Sequence, residues 1–156
     1  AQSLSAIDAS AAALDQLQAN AEQLGVADQV TSYEGNAFDA LQALLEEGMK
    51  FDVVILDPPA FIKRKKDYKN GLNAYNKLNS LGLRLLEKDG LLVSASCSMH
   101  LPEQALLDSV RAAARHIDRH VQLVFRGSQG PDHPVHPAIV ETQYLKALFF
   151  RVNPAL

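Results

Sequence analysis

Along the chain, short apolar runs alternate with longer stretches in which apolar residues recur every three or four positions, a pattern that predicts strands followed by helices. Ser3 to Ile7 is the first such run, ending at Asp8. Ser10 stands where an N-cap belongs, Leu14, Leu17, Ala21 and Leu24 share one helical face, and Gly25 stops the helix. Val30 to Tyr33 predicts a second strand. Ala37 to Glu47 predicts a second helix, with Leu41, Leu44 and Leu45 on one side and Gly48 beyond its end. Phe51 to Leu56 is the clearest strand, because Val53, Val54, Ile55 and Leu56 run without a polar break, as in a central parallel strand covered on both faces. It stops at Asp57-Pro58-Pro59.

Ala60 to Leu72 is polar, basic and rich in turn formers, so it reads as a loop leading into a helix from Asn73 to Glu87 that carries Leu78, Leu81, Leu85 and Leu86. Gly90 opens a strand from Leu91 to Ser96, and Pro102 to Ile117 predicts a helix with proline in its first turn. Val121 to Phe125 predicts a strand, Gly127 to Pro137 a long loop, and Tyr144 to Val152 a last strand. That strand should be antiparallel, because no helix separates it from its predecessor. Six strands and four helices in this order predict an α/β fold with a mostly parallel sheet and an antiparallel C-terminal strand. Such sheets gather functional residues at the carboxyl ends of their strands, which singles out Asp8, Asn36, Asp57 and Cys97.

Composition narrows the classes. A chain of 156 residues, 47% apolar and 21% charged, suits one globular domain and excludes disorder and collagen-like repeats. Its apolar runs fall far short of the roughly 20 residues that span a bilayer, and Ala1 to Ala21 has no basic-then-apolar leader. The single Cys97 cannot form an internal disulfide, as expected in a reducing cytoplasm. A net charge of −3 argues against nucleic-acid binding by bulk charge, yet Lys63, Arg64, Lys65, Lys66 and Lys69 crowd one short segment whose only acid is Asp67.

Each candidate has a plain reading and a chemical one. The prolines after Asp57 stiffen its turn, so the carboxylate and a nearby carbonyl can accept from an amine or ring nitrogen of a planar base; the same tripeptide also makes an ordinary turn. Phe61 can stack on a base or pack in a core. Cys97, among small polar residues in Ser94-Ala95-Ser96-Cys97-Ser98, is an accessible nucleophile or a buried structural cysteine, with His100 close in sequence. Asp8 can take a ribose diol or serve as a helix-start charge. No Gly-x-Gly occurs. The basic run can neutralise phosphates or lie solvated. Asp132, His133 and His136 have no further ligand cluster beside them, so no metal site is expected.

Together these residues resemble a class I S-adenosylmethionine-dependent methyltransferase, and most closely the cytosine-carbon-5 methyltransferases of large-subunit ribosomal RNA. The resemblance rests on Ile7-Asp8, Asn36-Ala37-Phe38, Phe51 to Phe61 with its Asp57-Pro58-Pro59, Ser96-Cys97-Ser98, Asp132-His133-Pro134 and Tyr144-Leu145-Lys146. It implies a Rossmann-like sheet and S-adenosylmethionine as cofactor, held by Asp8 at the ribose, by Asn36 and Ala37 at the adenine, and flanked by Asp57. It implies Cys97 as nucleophile and Asp57 as the residue at the target base, with Pro58, Pro59, Phe61, Lys63, Arg64, Lys65 and His133 against the RNA. Family members typically carry an acid where Asn36 stands; an amide oxygen can still accept from adenine's amine.

The family's first strand and glycine-rich turn should precede Ser3, as should an RNA-binding domain of the PUA type, so residues 1–156 read as a C-terminal part of a catalytic domain. Without the first strand, the Ser3 to Ile7 and Phe51 to Leu56 strands expose edges or pair with each other, and exposed edges invite self-association. Two further readings stay open: an enzyme that methylates an exocyclic amine through Asp57-Pro58-Pro59 with Cys97 structural, and a catalytically silent fragment or RNA-binding module.

Overall fold

The computed structural model describes residues 2–154. The chain divides between Gly48 and Met49 into two compact units.

The N-terminal unit is β1 (Leu4–Asp8), α1 (Ala11–Gln23), β2 (Val30–Glu34) and α2 (Ala37–Glu46). β1 and β2 pair in parallel with Asp8 opposite Glu34, so both strands end at the same rim. Ser10 caps α1 as its sequence predicts, its side chain accepting from the Ala13 backbone N–H at 3.3 Å. The other end of α1 closes as a Schellman turn: Gly25 donates to Glu22 O and Val26 to Ala21 O, and the φ of +69° at Gly25 explains the glycine. Leu14 and Ala21 are buried as expected, but Leu24 is 76% exposed because it sits at the cap beyond the helical face.

The C-terminal unit contains β3 (Phe51–Leu56), α3 (Tyr68–Leu85), β4 (Leu86–Ser96), α4 (Glu103–Arg115), β5 (Arg119–Gly127) and β6 (Lys146–Pro154). Its four-stranded sheet has the order β3-β4-β6-β5. β3 and β4 are parallel, while β6 runs antiparallel to both β4 and β5, so three of the four strands share one direction. The antiparallel last strand is thus inserted between its neighbours. α3 begins earlier than the sequence pattern suggests, taking in Tyr68 to Leu72 from the expected loop, and β4 begins at Leu86, inside the expected helix.

Register identifies the covered face. Ser94 donates to Asn79 Oδ1 at 2.8 Å and Asn79 donates to Ser109 Oγ at 3.0 Å, joining β4 to α3 and α4 through buried, mutually satisfied polar groups. Leu92 and Ser96 share the parity of Ser94, and the cross-strand partners Val54, Leu56, Leu148 and Phe150 lie on the same side. All of these are buried, together with Leu78, Leu81 and Leu85 of α3 and Leu106, Val110 and Ala113 of α4.

The opposite face corrects the expectation for β3. Val53 and Ile55 are 49% and 66% exposed, so β3 is covered on one face rather than both. Among the described residues it pairs only with β4, and Val54 and Leu56 are its buried positions. Among the described residues β1 and β3 share no ladder and each keeps one edge unpaired, which is the first of the two outcomes expected without the preceding strand. At the end of the sheet where β4 begins, Arg119 and Arg151 donate to the carbonyls of Leu86, Glu87 and Asp89.

This packing separates two leucine-like positions by their burial. Leu92→Ala should lower unfolding stability by about 2–5 kcal/mol, because Leu92 is 0% exposed and its removal leaves a cavity. Ile55→Ala should cost less than about 1 kcal/mol, since most of that side chain is already in water. Urea melts of the two variants check the assignment; equal losses would reject it.

Candidate active site

In the C-terminal unit, strand register places the chemistry-bearing residues at one rim. β3 ends at Leu56 opposite Ser94, so Asp57 follows near the end of β4, and β4 ends at Ser96 opposite Lys146. β5 ends in turn at Gly127, opposite Ala147. Asp57, Cys97, Lys146 and the loop after Gly127 therefore leave the sheet at the same end. Asp57 and Pro59 are exposed, Pro58 and Phe61 half-buried, and Cys97 is a free, half-buried cysteine.

A buried network fixes the cysteine's neighbours. The Tyr75 hydroxyl, on α3, lies 2.7 Å from Ser96 Oγ and 2.9 Å from Ser98 Oγ. Ser96 Oγ also accepts from Ser98 N–H at 3.1 Å, and Ser98 Oγ accepts from the Ile62 N–H at 3.2 Å. Tyr75, Ile62, Ser96 and Ser98 are each no more than 1% exposed. A phenol has one proton, so Tyr75 donates to at most one of the two serines and accepts from the other. The network therefore ties the turn holding Cys97 to the loop that begins at Asp57, through the main chain of Ile62.

The same loop is seated on α3. The Phe61 ring packs against Tyr75 with centroids 4.9 Å apart at 60°, so its packing role is real. Gly71 permits this approach: a Cβ there would meet Ile62 and lie 2.8 Å from the Phe61 carbonyl oxygen. Beyond Ile62 the basic run is exposed at Lys63, Arg64, Lys65, Lys66 and Lys69, with Arg64 paired to Asp67 at 3.0 Å. An exposed pair of this kind contributes little stability and leaves the run's charge facing water.

Lys146 contributes to this rim, a role that its place in Tyr144-Leu145-Lys146 does not announce. Its ammonium donates to Ser98 O at 2.6 Å and Leu101 O at 3.0 Å. Burial pushes its pKa below the ordinary lysine value, while attraction by Cys97 and by Glu103 acts the other way. Tyr75, Ser96 and Ser98 were also without a role; a tyrosine inside the predicted helix gives no sign in sequence that it reaches two serines on a strand end.

His133 lies in the loop after β5, paired with Asp132 at 3.0 Å and exposed. His136 Nδ1 accepts from Ala138 N–H within its own turn. Among the described residues no cluster of three or more metal-ligating side chains occurs.

In the N-terminal unit, Asp8 lies at the end of β1, where Oδ1 accepts from Ser10 N–H at 2.7 Å. Asn36 caps α2, its Oδ1 accepting from Phe38 N–H at 2.8 Å, and Ala37 begins that helix. Both side chains thus hold helix starts, yet both are exposed and retain acceptor capacity, as a carboxylate or amide oxygen accepts more than one bond. Those acceptor oxygens fit the hydroxyls of a ribose diol and the amine of an adenine.

A family model described as RNA cap guanine-N2 methyltransferase matches residues 1–148. The chain belongs to this RNA methyltransferase family. The chain is 35% identical over 153 residues to ribosomal RNA large subunit methyltransferase I of Shewanella amazonensis, covering 97% of this chain and 39% of that protein. A Methanocaldococcus jannaschii protein provisionally named as a ribosomal RNA large subunit methyltransferase is 40% identical over 148 residues, which is 94% of this chain and 37% of the relative. The chain thus spans under two fifths of these curated relatives. In fold it superposes on NSun6 from Pyrococcus horikoshii, solved with SFG, at a TM-score of 0.66 and 22% identity over 96% of this chain and 41% of that one. A Streptococcus mutans protein provisionally assigned as SAM-dependent methyltransferase gives 0.80 and 16% over 97% and 39%. The fold is the Rossmann-like class I methyltransferase fold expected from the sequence.

The Tyr75 network makes a specific forecast. Tyr75→Phe keeps the ring against Phe61 but leaves the serine hydroxyls short of a partner, and should cost about 1–3 kcal/mol of stability. Urea unfolding reads the loss, and a neutral Tyr75→Phe would mean that the phenol does not hold this rim together.

Proposed function

We propose that this chain is part of the catalytic domain of a cytoplasmic, S-adenosylmethionine-dependent methyltransferase that acts on carbon 5 of a cytosine in large-subunit ribosomal RNA. The observation that carries the reading is the half-buried Cys97 at a strand-end rim, locked by its flanking serines to the Asp57 loop. Family membership and the names of the ribosomal RNA relatives support the substrate class.

Carbon 5 of cytosine is a poor nucleophile. Attack of the Cys97 thiolate on carbon 6 makes an enamine whose carbon 5 can take the methyl group of S-adenosylmethionine. Asp57 assists addition at ring nitrogen 3. Loss of the carbon-5 proton to a base then expels the Cys97 thiolate and restores the ring. Asp8 would hold the ribose of the cofactor, with Asn36 and Ala37 at its adenine. The exposed Lys63, Arg64 and Lys65 would neutralise RNA phosphates, with Pro58, Pro59, Phe61 and His133 shaping the approach of the base. A paired cytosine would have to leave its stack to reach Cys97.

A second reading has its own support, because the family model is described by methylation of an exocyclic amine, guanine N2. There Asp57-Pro58-Pro59 would accept from the target amine and Cys97 would be structural. One assay separates the two: transfer of labelled methyl to large-subunit ribosomal RNA, with the product nucleoside identified by mass spectrometry. The cytosine reading expects 5-methylcytosine, lost by at least about 10³-fold in Cys97→Ala while cofactor binding persists. Methyl on nitrogen, or an active Cys97→Ala, would replace it with the amine reading.

The unpaired edges of β1 and β3 offer a second copy somewhere to pair. Light scattering should find a mass that rises with protein concentration; a constant monomer mass would dismiss self-association.

A further inference from the structure

The rim holds a charge that the proposed chemistry has not used. Lys146 is the first residue of β6 and lies in register with Ser96, the residue before Cys97. Lysine at a sheet rim ordinarily extends into water, whereas this side chain turns onto the Ser98 and Leu101 carbonyls and so closes the turn that follows the cysteine. Among the described residues it forms no ion pair, and Glu103 of α4, which also attracts it, is already bound by Arg126 of β5 at 2.8 Å. His100 stands half-buried in the same turn. Cys97, one residue beyond the register partner of Lys146, is thus a group at this rim that can become anionic beside it.

We propose that Lys146 is a positioning residue for Cys97, holding the Ser98 to Leu101 turn and supplying the positive charge beside which the thiolate forms. The inference rests on reading Cys97 as the nucleophile. On ionisation the thiol proton passes to solvent, and Lys146 keeps its own protons, which bridge the two carbonyls. The attraction of Cys97, which raises the lysine's proton affinity against the effect of burial, agrees with this pairing. A compact ammonium suits the task, because it can hold both carbonyls and still act as a point charge.

The chain has one cysteine, so alkylation by iodoacetamide reads Cys97 alone. Rates would be taken from about pH 6 to about pH 10 for the full chain, for Lys146→Met and for Lys146→Arg. Near neutrality Lys146→Met should react roughly 5- to 10-fold more slowly, converge with the parent in alkali, and be largely rescued by arginine. Superimposable profiles, or a slowing that is uniform across pH, would overturn the proposal. If Lys146→Met loses its circular-dichroism signal, the Lys146 ammonium is titrated by NMR in the parent and in Cys97→Ala. There its titration should move to lower pH, and an unmoved titration would overturn the pairing. Neither readout involves RNA, so an active Cys97→Ala enzyme would remove the cytosine mechanism while these profiles decide the pairing separately.

Discussion

Three hydroxyl groups that cannot reach water must satisfy one another, and the arrangement of the C-terminal unit's rim follows from that requirement. Tyr75, Ser96 and Ser98 are buried, and an unpaired hydroxyl in such a place would carry a desolvation cost of about 1–3 kcal/mol. Their mutual bonds and the Ile62 N–H close the set. Because Ser96 and Ser98 face inward together, the residue between them is kept half-buried at the strand end, and because Ser98 also holds Ile62, the loop from Asp57 cannot drift independently of it. One phenol thereby relates the two segments from which any reaction at this rim would be assembled.

A second buried set, Ser94, Asn79 and Ser109, repeats the principle deeper in the unit and orients α3 and α4 on the sheet. Apolar packing of Leu92, Leu106, Phe150 and their neighbours supplies the non-directional stabilisation. The polar sets supply direction, since a helix rotated by one residue would break both. Rigid placement of this kind is what nucleophilic chemistry requires, because a reacting atom displaced by an ångström loses much of its advantage.

Charge is distributed in the same economical way. The exposed basic run lies directly beyond the loop that the Tyr75 network anchors, which is the placement that the proposed contact with RNA phosphates requires. Lys146, half-buried at the end of β6, is the cation closest in register to the cysteine. The net charge of −3 is therefore a poor guide to what this rim attracts.

The sequence by itself determined the elements and much of the rim. Apolar periodicity, Ser10, Gly25 and the Asp57-Pro58-Pro59 stop are local signals, and they marked the helices, the strands and the ends at which Asp8, Asn36, Asp57 and Cys97 stand. The limits of α3 and β4 were less legible, because Tyr68 to Leu72 mixes turn formers with helix formers and only packing against Phe61 and Ile62 decides between them. An apolar run such as Phe51 to Leu56 states that a strand will form but not how many of its faces will be covered, and here Val53 and Ile55 stay exposed. The insertion of β6 between β4 and β5, and with it the arrival of Lys146 beside Ser96, was settled by tertiary structure alone. So was the meeting of Tyr75 with Ser96 and Ser98, 21 and 23 residues away along the chain. The physical reason is range: capping, turn chemistry and periodicity act within a few residues, whereas a hydroxyl's partner is chosen by which distant segments the buried core brings together.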